Sequence, residues 1–196
     1  MAALHTEAST PRILTGSERL DAAWQSFWSD FGETRDILFG SPLYGRNDDI
    51  RASASFLLHQ LLYVGHALTL QPDQKYPVDY GSMFQWPAHN TFGLPSPDNT
   101  FGIFYLDGRE TYRFHGRRNT VYKVWMVVYH GFFGDEDTRQ MAEMQIDDFA
   151  MNPDGTFEII LSADRHDGNW IEIDRTSRNV PFMLRQNHLD WAGEVD

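Results

Sequence analysis

Residues 96–130, SPDNTFGIFYLDGRETYRFHGRRNTVYKVWMVVYH, decide the fold. They read as three consecutive strands. Residues 100–106 are apolar and aromatic and close on Asp107-Gly108, a dipeptide that signals a hairpin between apolar runs. Residues 111–115 alternate and are broken by Gly116. Strand side chains point to opposite faces in turn, so Tyr112 and Phe114 share one face and Arg113 and His115 the other. Residues 121–130 are rich in β-branched and aromatic side chains. There Lys123, Trp125, Val127 and Tyr129 oppose Tyr122, Val124, Met126, Val128 and His130. Both faces are largely apolar, which predicts a central strand covered on both sides. Ser96-Pro97-Asp98-Asn99 is a turn cluster, since proline presets φ and Asp and Asn bond to their own backbone. Asn99 either builds only this turn or faces a ligand.

Downstream, residues 131–144 are a polar excursion that reads as a loop with a short helical turn. Residues 145–150, 157–161 and 170–173 read as strands. Asn152-Pro153-Asp154-Gly155 turns the first into the second, and Asp167-Gly168-Asn169 precedes the third. Residues 180–189 form the last strand, with Phe182, Leu184, Gln186 and His188 on one face and Met183, Arg185 and Asn187 on the other. About seven short strands with regular turns predict an antiparallel β-sandwich, jelly-roll-like.

Upstream, Thr15-Gly16-Ser17-Glu18 is a capping box. Leu20, Trp24, Phe27 and Phe31 follow at helical spacing, which predicts one buried face. Gly32 either ends this helix or weakens it before residues 37–39. Gly40-Ser41-Pro42 and Gly45 form a break. Asn47 or Asp48 caps a second helix. Its stripe is Ile50, Ala54, Leu57, Leu61, Val64 and Leu68, and Leu58, Leu62 and Tyr63 carry the apolar surface almost all round, which predicts deep burial. Gln71-Pro72-Asp73 ends it. His59, Tyr63 and His66 lie opposite the stripe. His59 and His66 stand roughly 10 Å apart at 1.5 Å rise per residue, too far for one ion at ~2 Å per ligand, so no metal site is read. They are either buried histidines bonded to neighbours, or His59 and Tyr63 line a pocket.

Residues 73–94 carry Tyr76, Tyr80, Met83, Phe84, Trp86, His89 and Phe92 among prolines and glycines. A long aromatic connection of this kind is either a lid or wall over an apolar pocket, with Phe84 and Trp86 on the ligand, or a seal over a sheet edge or oligomer interface. The organisation read from the chain is a helical segment 1–72, an aromatic connection 73–95 and a β-sandwich 96–196, all in one compact unit. Residues 1–14 form an arm. The class is α+β, with the two helices packed on one side of the sandwich.

Five ordered motifs carry a resemblance. Pro97-Asp98-Asn99 before Phe101, then Tyr112-Arg113 with Gly116-Arg117, Asn152-Pro153-Asp154-Gly155 with Phe157-Glu158-Ile159, Gly168-Asn169-Trp170, and Leu184-Arg185-Gln186 with Asp190-Trp191 resemble the signature of the bacterial domain-of-unknown-function 1214 family. The likeness covers about the last half of the chain, and the paired helices resemble the family's lead-in more loosely. Asn119 stands where the family often has glycine, and His188 where it often has an aromatic residue. Many members continue beyond the Asp-Trp motif. That implies an exposed sheet edge and apolar face here, and so an obligate homo-oligomer or a complex with a related subunit.

With 196 residues, 41% hydrophobic and 14% aromatic, the chain can build a full core. A net charge of −12 disfavours nucleic acid and anionic membrane. The basic run Arg113, Arg117, Arg118 and Lys123 reads as solvated charge or an internal anion contact. The absence of cysteine removes thiolate chemistry and disulfides and fits a cytoplasmic location. No signal peptide and no membrane-length apolar window is read.

No phosphate loop, nucleophile elbow, dinucleotide fingerprint or paired-histidine zinc motif occurs. What remains is polar groups among aromatics on strands. His115, His130 and His188 can move a proton near neutral pH. Arg113 and Arg185 either hold a carboxylate or oxyanion or pair internally with Asp98 or Asp190. Asp190 either joins this set or caps the chain end. Trp86, Phe84, Tyr63, His59, Tyr129, Trp125 and Asn99 are the candidate ligand contacts. The expected function is binding of a hydrophobic small molecule between sheet and helices, extended by cofactor-independent acid–base catalysis of the isomerase or lyase type. A non-catalytic binding or assembly subunit is the alternative. No cofactor and no metal is called for.

Overall fold

A capping box starts the first helix as its residues dictate. The Glu18 amide donates to Thr15 Oγ1 at 3.3 Å, and the Thr15 amide donates to Glu18 Oε2 at 2.8 Å. The computed structural model describes residues 15–70, 73–79, 96–132 and 135–195. It falls into two compact units divided between Leu58 and His59, inside the second helix.

In the first unit, α1 spans Gly16–Phe39. Gly32 does not end it: one mid-helix glycine costs about 1 kcal/mol, less than losing two turns. Gly40 closes the helix by donating to the Asp36 carbonyl at 2.8 Å. The expected buried face is not found. No residue of α1 is buried, and Trp24 and Trp28 are 54% and 60% exposed. Their rings pair along the helix instead, Trp24 stacked on Trp28 and Phe27 on Phe31. Periodicity specifies an apolar stripe; it does not specify what covers it. The next helix, α2, spans Asp48–Thr69, and Asn47 Oδ1 caps it by accepting from the Ile50 amide at 2.9 Å. An apolar groove of about 220 Å³ lies between the end of α1 and the start of α2, lined by Leu38, Leu43, Tyr44, Ile50, Ala54 and Leu57. Burial of α2 all round is also not found, because Phe56 and Tyr63 are exposed.

The second unit holds the rest of α2 and two sheets. The strands are β1 Asn99–Leu106, β2 Tyr112–Arg117, β3 Lys123–His130, β4 Arg139–Gln145, β5 Thr156–Ser162, β6 Trp170–Glu172 and β7 Val180–Asn187. One sheet runs β1-β7-β3-β4 and the other β2-β5-β6. All pairs are antiparallel except β5 with β6. Strand β3 is interior, as its composition predicts. Between the sheets Leu106, Met126, Val128, Ile146, Phe157, Ile159, Leu161, Ile171, Val180 and Phe182 form the core. On the opposite face of the four-stranded sheet, Ile103 and Tyr105 pack with Val64, Ala67 and Leu68 of α2. The fold is α+β, a sandwich of two sheets with helices. No described helix is long and apolar enough to cross a membrane.

Three local readings change. Asp107-Gly108 does not close a hairpin: β1 pairs with β7 and β2 with β5, so this turn carries the chain from one sheet to the other. The Gly108 amide donates to the Ser177 carbonyl at 2.9 Å, and a Cβ there would lie 1.8 Å from the Asp174 carbonyl oxygen. Residues 139–144, read as loop, belong to edge strand β4. Its sequence RQMAEMQ is rich in helix formers, and tertiary pairing overrides them. Residues 146–148, read as strand, form a 3₁₀ turn. Asn119 takes φ 44°, the left-handed region that glycine and asparagine tolerate best, which accounts for the residue that stands there.

Candidate functional site

The outer face of the four-stranded sheet is built in rows, because directly paired residues share a face. Phe101, Arg185, Trp125 and Gln145 form one row across all four strands. Asn99, Asn187 and Lys123 form the row on one side of it, and Ile103, Met183, Val127 and Glu143 the row on the other. The second half of α2 packs on Ile103 and Tyr105, with Phe132 and Met183 beside them. The Phe101–Arg185–Trp125 row adjoins this covered part. Its three side chains are half-buried, as are Tyr129 and Lys123.

Charge on this face is uneven. The Arg185 guanidinium lies over the Phe101 ring, 5.4 Å from its centroid, and the Lys123 ammonium lies 5.8 Å from that of Trp125. Arg185 Nε is buried, and among the described residues it has no hydrogen-bond acceptor. The Tyr129 hydroxyl is pushed above its ordinary pKa by burial and, secondarily, by Glu143, while Arg185 works the other way. Glu143 itself accepts from Gln140 Nε2 at 3.0 Å. Asn187 donates to Asn99 and Asn99 to Ser96 Oγ, so both amides are engaged within the fold. At the sheet edge Asp79 Oδ1 accepts from the Ile103 amide at 2.9 Å.

The three candidate histidines do not meet. His130 ends β3 and is buried between two carboxylates, Nδ1 2.7 Å from Asp174 and Nε2 3.0 Å from Asp137. Asp174 is held below its ordinary pKa by the Thr176 hydroxyl and amide first, and by His130 after them. His188 lies at the other end of the sheet, just past the Lys123–Asn187 pair. His188 falls opposite position 122, so eight residue steps, roughly 26 Å at 3.3 Å per residue, separate the two. His188 is stacked on Trp191, with Nδ1 3.2 Å from Glu194 and Nε2 3.3 Å from Thr100 Oγ1. His115 sits exposed on β2 in the other sheet, opposite Glu158.

The arginines separate too. Arg113 is exposed and pairs with Glu158 at 3.5 Å, not with Asp98 or Asp190. Arg185 pairs with neither. Asp190 is exposed and accepts from the Ala192 amide at 3.0 Å, the chain-end cap that was one of its two readings. His59 and Tyr63 stand on the exposed side of α2, away from Val64 and Ala67. Trp86 and Phe84 lie outside the described residues. Trp125, Tyr129, Asn99 and Arg185 are therefore the candidates that the sheet brings onto one face. Lys123 and Phe101 complete them. Alternation had already put Lys123 beside Trp125 and Tyr129; only the pairing register brings Phe101 to Arg185. Asp137 and Asp174 carried no signal, being loop residues 7 and 44 positions from their histidine with no pattern to link them. Among the described residues no cluster of three or more His, Asp or Glu is grouped to hold a metal ion.

The five sequence motifs meet in pairs. Arg117 reaches Asp154 at 3.3 Å, and Gly116 lies under the Phe157 ring. The Thr100 hydroxyl donates to Gln186 at 2.8 Å, and the His188 amide donates to the Asp98 carbonyl at 2.8 Å. The Asn169 side chain bridges the backbone of Ala150 and of Glu158. They are joints of the sandwich.

No protein-family model matches the chain, and no curated protein matches it. Among solved structures, an uncharacterised protein from Burkholderia cenocepacia has the same fold, with a TM-score of 0.70 at 24% identity over 86% of this chain and 47% of that one. A protein from Vibrio parahaemolyticus aligns over 50% of this chain and 28% of its own, with a TM-score of 0.38 and 20% identity. The chain thus spans about half the length of the Burkholderia protein.

Proposed function

We propose that the protein is a binding module that holds a hydrophobic small molecule against the outer face of its four-stranded sheet, beside α2. The observation that carries this reading is the row of half-buried Phe101, Arg185 and Trp125 next to the helix-covered part of the sheet. Aromatic side chains with a few fixed polar groups are the usual lining of a small-molecule site. Acid–base catalysis has less support. The histidines lie far apart, and the two buried ones have both ring nitrogens occupied. A neutral fluorescent probe, N-phenyl-1-naphthylamine, tests the site. Trp125→Ala should weaken its binding about tenfold, the equivalent of losing ~1.4 kcal/mol of apolar contact, while the melting temperature changes little. Unchanged affinity in W125A would place the site elsewhere.

Kinship with the domain-of-unknown-function 1214 family belongs to this proposal and rests on the five ordered sequence motifs. A cytoplasmic location belongs to it too, supported by the cysteine-free composition.

Assembly is a second reading, favoured by α1. Leu20, Trp24, Phe27 and Trp28 are 40–60% exposed on a helix with no buried residue, and large apolar surface of this kind marks interaction sites. A homo-oligomer, or a complex with a related subunit, would cover it. Light scattering on the purified chain at micromolar concentration should give more than the mass of one copy, and the double variant W24A/W28A should lower it. A wild-type chain that stays monomeric there excludes self-association.

A further inference from the structure

We infer that the molecule bound on the outer sheet face carries an anionic group, a carboxylate, held by Arg185 and Lys123, with its apolar body against Trp125 and Phe101. This rests on the proposed binding site and names its ligand class. The argument begins with charge. The chain has 28 acidic and 16 basic residues, so basic groups find acidic neighbours easily. Of the four bases of the run 113–123, three do so: Arg113 with Glu158, Arg117 with Asp154 and Arg118 with Asp147. Lys123 does not, nor does Arg185, among the described residues; instead Arg185 lies over Phe101, and Lys123 lies beside Trp125 of the same face and Tyr122 next to it in sequence. They flank Trp125: Arg185 is its direct cross-strand partner, and Lys123 is two residues before it on β3.

Burial sharpens the point. A guanidinium nitrogen removed from water without an acceptor is unfavourable, and Arg185 Nε is in that condition. The fork of a guanidinium fits a carboxylate through two parallel hydrogen bonds. A carboxylate placed against this guanidinium neutralises the cation. Two other polar pairs of the face are already engaged, Asn187 with Asn99 and Glu143 with Gln140, so these do not compete for the same ligand atoms. Glu143, one row away, sets a negative boundary that favours a compact anionic head with an apolar body over a polyanion.

The test compares 2-naphthoate with its uncharged methyl ester on the full chain by isothermal titration calorimetry. The wild type should bind the acid at least about tenfold more tightly than the ester. R185Q should abolish that preference by weakening the acid far more than the ester, and K123Q should reduce the preference. W125A should weaken acid and ester alike. Equal affinity of the wild type for acid and ester overturns the anion inference while leaving the binding site standing. No binding of either compound overturns both. Should R185Q fail to fold, the wild-type comparison and K123Q decide: a K123Q protein with the full acid preference removes Lys123 from the site.

Discussion

Val128→Asp should leave no cooperatively melting protein. Val128 is fully buried between the two sheets, in the interior strand β3, paired with Phe182 on one side and Ala142 on the other. Its neighbours in the core are apolar, and nothing there can accept or neutralise a carboxylate. An unpaired polar or charged group in such a place costs several kcal/mol. The whole stability of a domain is about 5–15 kcal/mol, so this one change removes most or all of it. V128A, which only opens a cavity, should lower stability by a smaller amount, roughly 1–3 kcal/mol. A soluble V128D protein with a sharp thermal transition would overturn the placement of this residue between the sheets.

Gly108→Ala should cost nearly as much, for a steric reason. The turn after β1 passes so close to the following loop that a methyl group at 108 would overlap the Asp174 carbonyl and crowd the Ser177 carbonyl at 2.8 Å. Both obstacles are backbone, so no side chain can swing aside. Relief requires the turn to move, and the turn also holds Asp107. That carboxylate is kept at about pKa 2 chiefly by the Arg109 side chain, with a further pull from Arg178. We expect a loss of about 3 kcal/mol or more, which is roughly 6–12 °C in melting temperature for a chain of this size. Gly45→Ala meets no atom within 4 Å and should melt within a degree or two of the wild type. If G108A also melts with the wild type, the close approach is wrong.

These two positions also mark what a sequence can and cannot say. That residues 123–130 form an interior strand is legible in their composition, since both faces are apolar. The capping box at Thr15 is equally local, and it forms as written. That Gly108 carries the chain between sheets is not legible, because Asp-Gly between apolar runs has the same composition whether the strands pair or part. The pairing of β1 with β7 depends on residues far along the chain, and no local pattern encodes it. Strand β4 is hidden by its own residues: Arg139, Gln140, Ala142, Glu143 and Gln145 suit a helix in isolation and become a strand only against β3. The candidate site divides in the same way. Alternation put Lys123, Trp125 and Tyr129 on one face. Bringing Arg185 between Phe101 and Trp125 took the register of three strands. The histidines were chosen for their chemistry, which says nothing of distance, and the fold sends them to two ends and a second sheet.

The pairing of β1 with β7 has a consequence in time. Asn99 and Asn187 meet across 88 residues. A ribosome releases the chain from its N-terminus, so the aromatic strand that enters first waits for the last one before its hydrogen bonds close. Contacts of such long range are slow to form, since loop closure precedes any gain from them. Before β7 is made, the described strands of this sheet can pair only as β3 with β4, and Phe101, Ile103, Phe104 and Tyr105 have none of them to join. Nascent chains in that condition are the ones that chaperones hold and that aggregate when unattended. The sheet can close at its centre only once β7 is there to lie between β1 and β3.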